Sequence, residues 1–302
     1  MTDLQTGKIY QSLSGFYDIE VDGKTYRTRA RGNFRKQQIK PLVGDWVEFS
    51  APNQQEGYIL KIQPRENELV RPPIANTDQA FVVTSAIEPD FSASLLDKEL
   101  VALEREHIRP ILVFTKVDLL KGDARDHFLT EVVQRYHEQV GYPTIIATAA
   151  NADNQLRAVL PERQTVVLGQ TGAGKSTLLN HLDPTLNLAT GAISQALSRG
   201  KHTTRKVSLV TINHGLVADT PGFSSFDPMN ITATTLKNYY PDLVRVAVDC
   251  KFRECLHINE PGCAVKQAVK NGTILTSRYE DYVDQYQTIK AQKPVYRRKR
   301  GN

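Results

Sequence analysis

Cysteine is nearly missing from this chain: 302 residues hold three, all between positions 250 and 263. A disulfide scaffold spreads many cysteines through a short secreted chain, so that class is excluded, and thiols gathered in one stretch point to a metal instead. No run of about eighteen consecutive apolar residues exists, which leaves no transmembrane helix and no membrane partner to expect. The opening MTDLQTGKIY is polar and has no apolar h-region, so no secretory signal is legible and the cytoplasm is the expected compartment. Internal repeats and low-complexity tracts are missing too. With 40% hydrophobic and 24% charged residues, the composition is that of a folded globular protein and not of a disordered one. The length exceeds a typical single domain, so two or three domains are expected.

Acidic residues are absent from one notable stretch. Lys24, Arg27, Arg29, Arg31, Arg35, Lys36 and Lys40 follow one another without an intervening Asp or Glu, and a second basic run, Arg297-Arg298-Lys299-Arg300, lies near the end. Both would attract phosphate-rich partners although the net charge is only +5. A solvated face and an unpartnered tail are the plainer alternatives.

What is present divides into three patterns. Residues 1–71 read as short strands separated by turns, with a hairpin signal at Val21-Asp22-Gly23-Lys24 and further strands in GDWVEFS and GYILKIQP. Strands at this spacing suggest a small all-β barrel of the OB type, with an SH3-like barrel as the alternative. Pro72-Pro73 then marks a boundary. Over 72–228, apolar runs (AFVVTSA, PILVFTKVD, PTIIATAA, QTVVLGQ, VSLVTI, GLVADTPG) alternate with helical spacing in SLLDKELVALEREH and ARDHFLTEVVQRYHEQ. Buried parallel strands with crossover helices are expected there. From 229 to 302 the pattern is helical and polar, with apolar residues too sparse for a strong core and a metal staple expected to offset the deficit.

The motif with the most chemistry is Gly169-Gln170-Thr171-Gly172-Ala173-Gly174-Lys175-Ser176, followed by Thr177, a full match to G-x-x-x-x-G-K-[ST] between the apolar TVVL and the helical TLLNHL. Its glycines let the backbone curl so that N–H groups face phosphate oxygens, and Lys175 reaches the β- and γ-phosphates. Ser176 offers a hydroxyl to Mg²⁺. Downstream, Asp219-Thr220-Pro221-Gly222 ends an apolar run, where an acidic side chain can hold Mg²⁺ and the Gly222 N–H can sense the γ-phosphate. In the polar stretch Gly200-Lys-His-Thr-Thr-Arg205, Thr203 or Thr204 supplies a second hydroxyl to Mg²⁺; an exposed loop without a binding role is the alternative.

Thr115-Lys116-Val117-Asp118 chooses the nucleotide. A carboxylate at Asp118 accepts two hydrogen bonds from guanine N1–H and its exocyclic amine, and adenine would leave that charge unpaired. Lys116 lies along the base, and Thr148-Ala149 closes the set through a backbone contact to guanine O6. Guanine switches usually run phosphate loop, switch threonine, D-x-x-G and then N-K-x-D; here the T-K-x-D loop comes first, the order a circular permutation would leave.

Cys250-x4-Cys255-x-His257-x5-Cys263 gives three sulfurs and one imidazole, the donor set that tetrahedral Zn²⁺ takes in structural sites. Free thiols beside a surface histidine are the alternative reading.

Taken together, the barrel, TKVD, GQTGAGKS, GKHTTR, DTPGF and CKFRECLHINEPGC make the chain resemble the circularly permuted small-ribosomal-subunit biogenesis GTPase family, RsgA, over essentially its whole length. The resemblance implies an OB-fold, a permuted G domain and a zinc domain. It also implies a monomer that binds GTP and GDP with Mg²⁺, engages the 30S subunit and 16S rRNA late in maturation, and hydrolyses GTP under stimulation by the subunit. Thr115 departs from the usual Asn of guanine switches, which predicts weaker guanine binding with a retained hydrogen bond toward the phosphate loop. Phe223 stands where Ras-like enzymes place a water-orienting Gln, so hydrolysis by the protein alone should be slow, and His202 is the candidate catalytic group that orients water. Tyr17, Tyr26 and Phe34, near the basic run, are candidates for stacking on bases, with a core role as the plainer reading. A non-enzymatic RNA-binding assembly factor and a P-loop ATPase are the competing readings; Asp118 argues against the second.

Overall fold

The computed structural model describes residues 4–37, 39–148, 152–188, 207–219 and 231–292, apart from the side chains of Arg35, Lys36, Ala152 and Asp219. Strands β1 (Leu4–Leu13), β2 (Phe16–Val21), β3 (Lys24–Ala30), β4 (Trp46–Ser50) and β5 (Tyr58–Ile62) form the first unit. The expected turn joins β2 to β3, with Asp22 and Gly23 both at positive φ as a two-residue hairpin of this hand requires. β5 lies parallel to β3 and antiparallel to β4, and β4 returns to pair with Leu4–Lys8 of β1. This order closes an OB-type barrel. Its interior is filled by Ile9, Ile19, Val47, Phe49 and Ile59, all fully buried. Tyr17 and Phe34 are buried in the same core and Tyr26 packs on Phe49, so the plainer reading applies to these three.

A hairpin of β6 (Glu68–Val70) and β7 (Pro73–Ala75) follows the barrel, and the Ala75 N–H donates to the Val43 carbonyl, tying the hairpin to it. The chain then enters a sheet built from β8 (Gln79–Ser85), β9 (Arg109–Thr115), β10 (Thr144–Ala147), β11 (Gln164–Leu168), β12 (Val207–Ile212) and β13 (Gly215–Asp219). Their spatial order is β10-β9-β8-β11-β13-β12. The first five in that order run parallel, with apolar residues on both faces as buried parallel strands require. One face (Val82, Phe114, Leu168) packs on Leu96, Leu100 and Leu103 of α2 (Ala93–Arg105). The other (Phe81, Val113, Val167) packs on Leu178, Leu179 and Leu182 of α5 (Lys175–Leu182). Between these lie α3 (Asp123–Phe128), continued to Val140 in π-helical turns, and α4 (Ala152–Ala158); a short α1 (Gly32–Lys36) caps the barrel.

β12 departs from the expected parallel pattern. It is antiparallel to β13 because only Asn213 and His214 join them, both at positive φ, and a two-residue link can form a hairpin but not a crossover. β12 also pairs with the end of β1, through Gln11↔Ser208 and Ser12↔Val207, so barrel and central sheet are one continuous ladder of eleven strands.

The last unit holds α6 (Pro241–Ala247), α7 (Ala264–Lys270) and α8 (Thr276–Ala291). Its core is larger than expected because tyrosine builds it: Tyr240, Tyr282 and Tyr286 are buried with Leu236, Leu243 and Val265, and Val101 of α2 joins them. Their hydroxyls are served by polar partners, as when Tyr282 donates to the Leu256 carbonyl at 2.5 Å and Gln285 donates to the Tyr240 hydroxyl at 2.7 Å.

A buried charge cluster joins this unit to the central one. Arg278 on α8 is fully buried and donates to Asp242 on α6 at 2.9 and 3.0 Å and to Asp97 on α2 at 2.5 Å. Tyr136 donates to the same Asp97 oxygen at 2.9 Å. Burial pushes the Asp97 carboxyl up to about 7, while Arg278 and the Tyr136 hydroxyl pull it down. Removing the arginine alone would strand two carboxylates in the interior. Arg278→Leu is therefore expected to destabilise the protein by ~3–5 kcal/mol in urea unfolding. Adding Asp97→Leu and Asp242→Leu to it should recover much of that loss.

Candidate functional site

The phosphate-loop sequence sits where β11 meets α5. Gly169 has φ +129, and a Cβ there would stand 2.0 Å from the Val83 carbonyl oxygen of neighbouring β8. Only glycine fits that approach. Gly174 caps α5 at φ +95, turning the first helical N–H groups toward the loop. The Lys175 ammonium lies inside the loop and donates to the Gly169 and Gln170 carbonyls at 2.7 Å each. Burial lowers its pKa, opposed by the Glu99 carboxylate. Glu99 is itself buried on α2 and is pushed up to about 7 by that burial, with Lys175 pulling it down. No motif marks Glu99; a charged residue among the apolar positions of an amphipathic helix was the only signal available.

The T-K-x-D segment leaves the end of β9, two strands away from β11 with β8 between them. The Thr115 hydroxyl donates to the Ala173 carbonyl at 2.7 Å, which is the hydrogen bond toward the phosphate loop expected of a threonine here. Lys116 adopts a left-handed conformation (φ 58), and its ammonium donates to the Glu88 carbonyl in the β8–α2 connection. Pro89 of that connection lies 3.4 Å from where a Cβ at Gly172 would be. One connection thus touches both loops. Val117 is buried and anchors the segment, whereas the Asp118 side chain is exposed. Thr148 follows β10, the strand beside β9, so its backbone lies on the same edge of the sheet.

Asp219 is the last residue of β13, adjacent to β11, and its backbone is opposite Ser208. Ser176 and Thr177 occupy the first turn of α5. Ala149, His202, Thr203, Thr204 and Gly222 lie outside the described residues, as does Phe223. Parallel strands all end on one side of a sheet, so β8, β9, β10, β11 and β13 have their C-terminal ends at that edge.

The second constellation is in the last unit. Cys250, Cys255, His257 and Cys263 place their donor atoms within 4.8 Å of one another. His257 Nδ1 is 3.6 Å from Cys250 Sγ and 3.4 Å from Cys263 Sγ, and the two sulfurs are 4.0 Å apart. Metal–sulfur bonds of ~2.3 Å at tetrahedral angles give sulfur–sulfur edges of ~3.8 Å, so the four atoms suit one tetrahedral ion, while a disulfide would need ~2.05 Å. Hydrogen bonds shape the surrounding loop as well. Glu260 accepts from the Leu256, Ile258 and Asn259 N–H groups at 2.8, 3.0 and 3.1 Å, and Tyr279 donates to the His257 carbonyl at 2.6 Å. Burial lowers His257 to about 4, so the imidazole is neutral at pH 7 and its nitrogen lone pair is available.

Beside the basic run, the barrel exposes aromatic side chains that the sequence reading missed. Trp46 and Tyr58 are exposed, Lys8 stands 5.2 Å over the Trp46 ring, and Arg29 stands 4.3 Å over Phe16. Trp46 and Glu48 on β4 and Tyr58 and Lys61 on β5 lie on the outer face, with a bulge between Glu48 and Phe49 shifting the register, which composition alone does not give.

The RsgA GTPase family model matches residues 62–229, and the RsgA N-terminal domain model matches residues 6–59. A small ribosomal subunit biogenesis GTPase RsgA of Limosilactobacillus reuteri is 55% identical over 298 residues, covering 98% of this chain and all of the relative. RsgA 1 of Lactiplantibacillus plantarum is 56% identical over 300 residues with the same coverage. Among solved structures, YloQ, described as a circularly permuted GTPase, superimposes with a TM-score of 0.81 at 40% identity over 97% of this chain and 98% of that one. YjeQ from Thermotoga maritima gives 0.82 at 30% identity over 96% and 100%.

Gly169→Ala should abolish binding of a fluorescent GDP analogue while leaving the circular dichroism spectrum unchanged. Chelation, or Cys263→Ala, should open residues 231–292 to protease while nucleotide binding persists. Equal loss of nucleotide binding in the chelated protein would show that the two constellations are not separate.

Proposed function

This chain belongs to the RsgA GTPase family and is a GTPase of small-ribosomal-subunit biogenesis; we propose that it does its chemistry where the T-K-x-D and phosphate loops meet, converting GTP and water to GDP and phosphate. The observation that supports this site best is the Thr115 hydroxyl resting on the Ala173 carbonyl, because it fixes a base-reading segment against a phosphate-binding one. In this reading, Asp118 reads guanine N1–H and the exocyclic amine, Lys116 and Val117 frame the base, and Thr148 and Ala149 approach O6. Gly169, Gln170, Thr171, Gly172, Ala173, Gly174 and Thr177 wrap the phosphates with backbone N–H groups, and the Lys175 ammonium moves from its loop carbonyls onto the β- and γ-oxygens. Gly222 reports the γ-phosphate.

Mg²⁺ fits Ser176, Thr203 or Thr204, and Asp219 by donor type, all hard oxygens, and when bound it neutralises charge on the β- and γ-phosphates. Zn²⁺ fits the Cys₃His knot by donor type and spacing and serves as a staple, since all four positions are protein ligands. His202 orients the attacking water once the subunit is engaged, in place of the glutamine that Phe223 displaces. The basic barrel face, with Trp46, Tyr58 and Arg29, is the surface we assign to 16S rRNA. No described helix is long and apolar enough to cross a membrane; we propose a cytoplasmic monomer of three units, 1–71, 72–228 and 229–302.

Multiple-turnover GTP hydrolysis with and without purified small subunits tests the enzyme reading: turnover should be slow alone and rise with subunits. His202→Ala should abolish the stimulated part at unchanged GTP affinity, and equal stimulation of the variant would reject His202. Asp118→Asn should shift preference from GTP to XTP; a variant that still prefers GTP would remove Asp118 from base recognition.

A further inference from the structure

One row of the continuous ladder crosses from the outer face of the barrel to the end of β13. Its members, in register, are Arg27 on β3, Asp18 on β2, Gln11 on β1, Ser208 on β12 and Asp219 on β13. Residues opposite one another in neighbouring strands share a face of the sheet, so the row is a line of neighbours and not merely a line of partners. On the barrel side it is also linked through side chains. Arg27 donates to Asp18 at 3.0 and 3.3 Å, and the Gln11 amide donates to Asp18 at 3.2 Å. Arg27 is half exposed, whereas the Asp18 side chain is only 15% exposed. Beyond Gln11 the connection is the β1–β12 pairing itself, which among the described residues joins Gln11 to Ser208 and Ser12 to Val207. Among the described residues, that pairing is the strand-to-strand route by which the barrel meets the switch strands.

β12 begins one residue after the G-K-H-T-T-R motif in the sequence, and β13 ends in Asp219, the first residue of D-T-P-G. The strand that pairs with the barrel therefore follows one switch motif and is the hairpin partner of the strand that ends in the other. We infer that Gln11 couples the barrel to the subunit-stimulated part of GTP hydrolysis: through Asp18 it holds the end of β1, and through the pairing with Ser208 a change at that end is passed to β12, β13 and the Asp219 backbone. The exposed end of the row, Arg27, is where an RNA phosphate enters the arrangement. A phosphate oxygen competes with Asp18 for the guanidinium, and Asp18 then binds Gln11 alone. Ligand capture at the barrel thus changes the side-chain tie that holds the switch strands, with no contact to nucleotide. This rests on Asp219 being the switch carboxylate. It adds an outward coupling that the site geometry alone does not contain.

The test uses the full chain. Hydrogen–deuterium exchange is compared between the GDP-bound protein and the protein bound to a non-hydrolysable GTP analogue; amides of residues 11–13 should change protection several-fold together with those of 207–209. In turnover assays, Gln11→Ala should lower the subunit-stimulated kcat several-fold while basal turnover, KM for GTP and melting temperature stay at wild-type values. Gln11→Lys, whose ammonium still donates to Asp18, should restore it. Exchange at 11–13 that ignores the nucleotide overturns the inference. So does full stimulation of Gln11→Ala, or a loss that appears equally in basal turnover and melting temperature. A wild-type protein that small subunits fail to stimulate would count against the enzyme reading instead, and the exchange comparison would still decide this one.

Discussion

The hydrogen bond from the Thr115 hydroxyl to the Ala173 carbonyl ties two chain segments 58 positions apart into one loop cluster. The constraint beneath it is spatial. β8 lies between β9 and β11, so the loops after β9 and β11 leave the same edge of the sheet and lean on each other across the end of β8. Nothing in that arrangement depends on which strand comes first in the chain. Permutation alters the connections and spares the edge, which is how a T-K-x-D segment that precedes its phosphate loop can belong to the same site. The close approach of Gly169 to Val83 works in the same direction, because the loop can wrap phosphate only while β8 and β11 remain neighbours.

Much of this was legible in the sequence because short motifs encode backbone geometry. The glycines at 169, 172 and 174 all adopt positive φ, so their spacing describes a curled loop before any coordinates exist. Buried parallel strands announced themselves as continuous apolar runs such as QAFVVTS. The Cys and His positions gave the knot, since few other arrangements use every thiol in a chain. What escaped the sequence depended on long-range pairing. The antiparallel turn at Asn213-His214 lacks the glycine that usually marks such a hairpin at its second position. Arg278, Asp97 and Asp242 are ordinary charged residues on three separate helices, and only packing makes them one cluster. Tyrosine hid the third core, because a residue with a hydroxyl counts for little in an apolar pattern until its partners are known.

The three units are held together by chemically different means. The barrel joins the central sheet through backbone pairing, with Lys8 donating to Gln164 at 3.0 Å beside it. The helical unit joins through buried charge and through Val101 among the tyrosines. Backbone pairing tolerates twisting within a fixed register, whereas an arginine shared by two buried carboxylates is costly to displace. The helical unit should therefore move with α2 as one piece, while the barrel keeps some freedom to twist about its seam.

The central place of β11 also bears on how the protein is made. Synthesis delivers the barrel, then β8, β9 and β10, before residues 164–168 appear. Until then β8 has an unpaired side, an open strand edge of the kind that recruits other chains. β11 must be inserted there, and β13 must dock on it, before the phosphate pocket has both walls. A growing chain cannot hold its nucleotide until nearly three quarters of it has been translated, so the ligand can stabilise the finished fold but cannot guide the early steps that produce it.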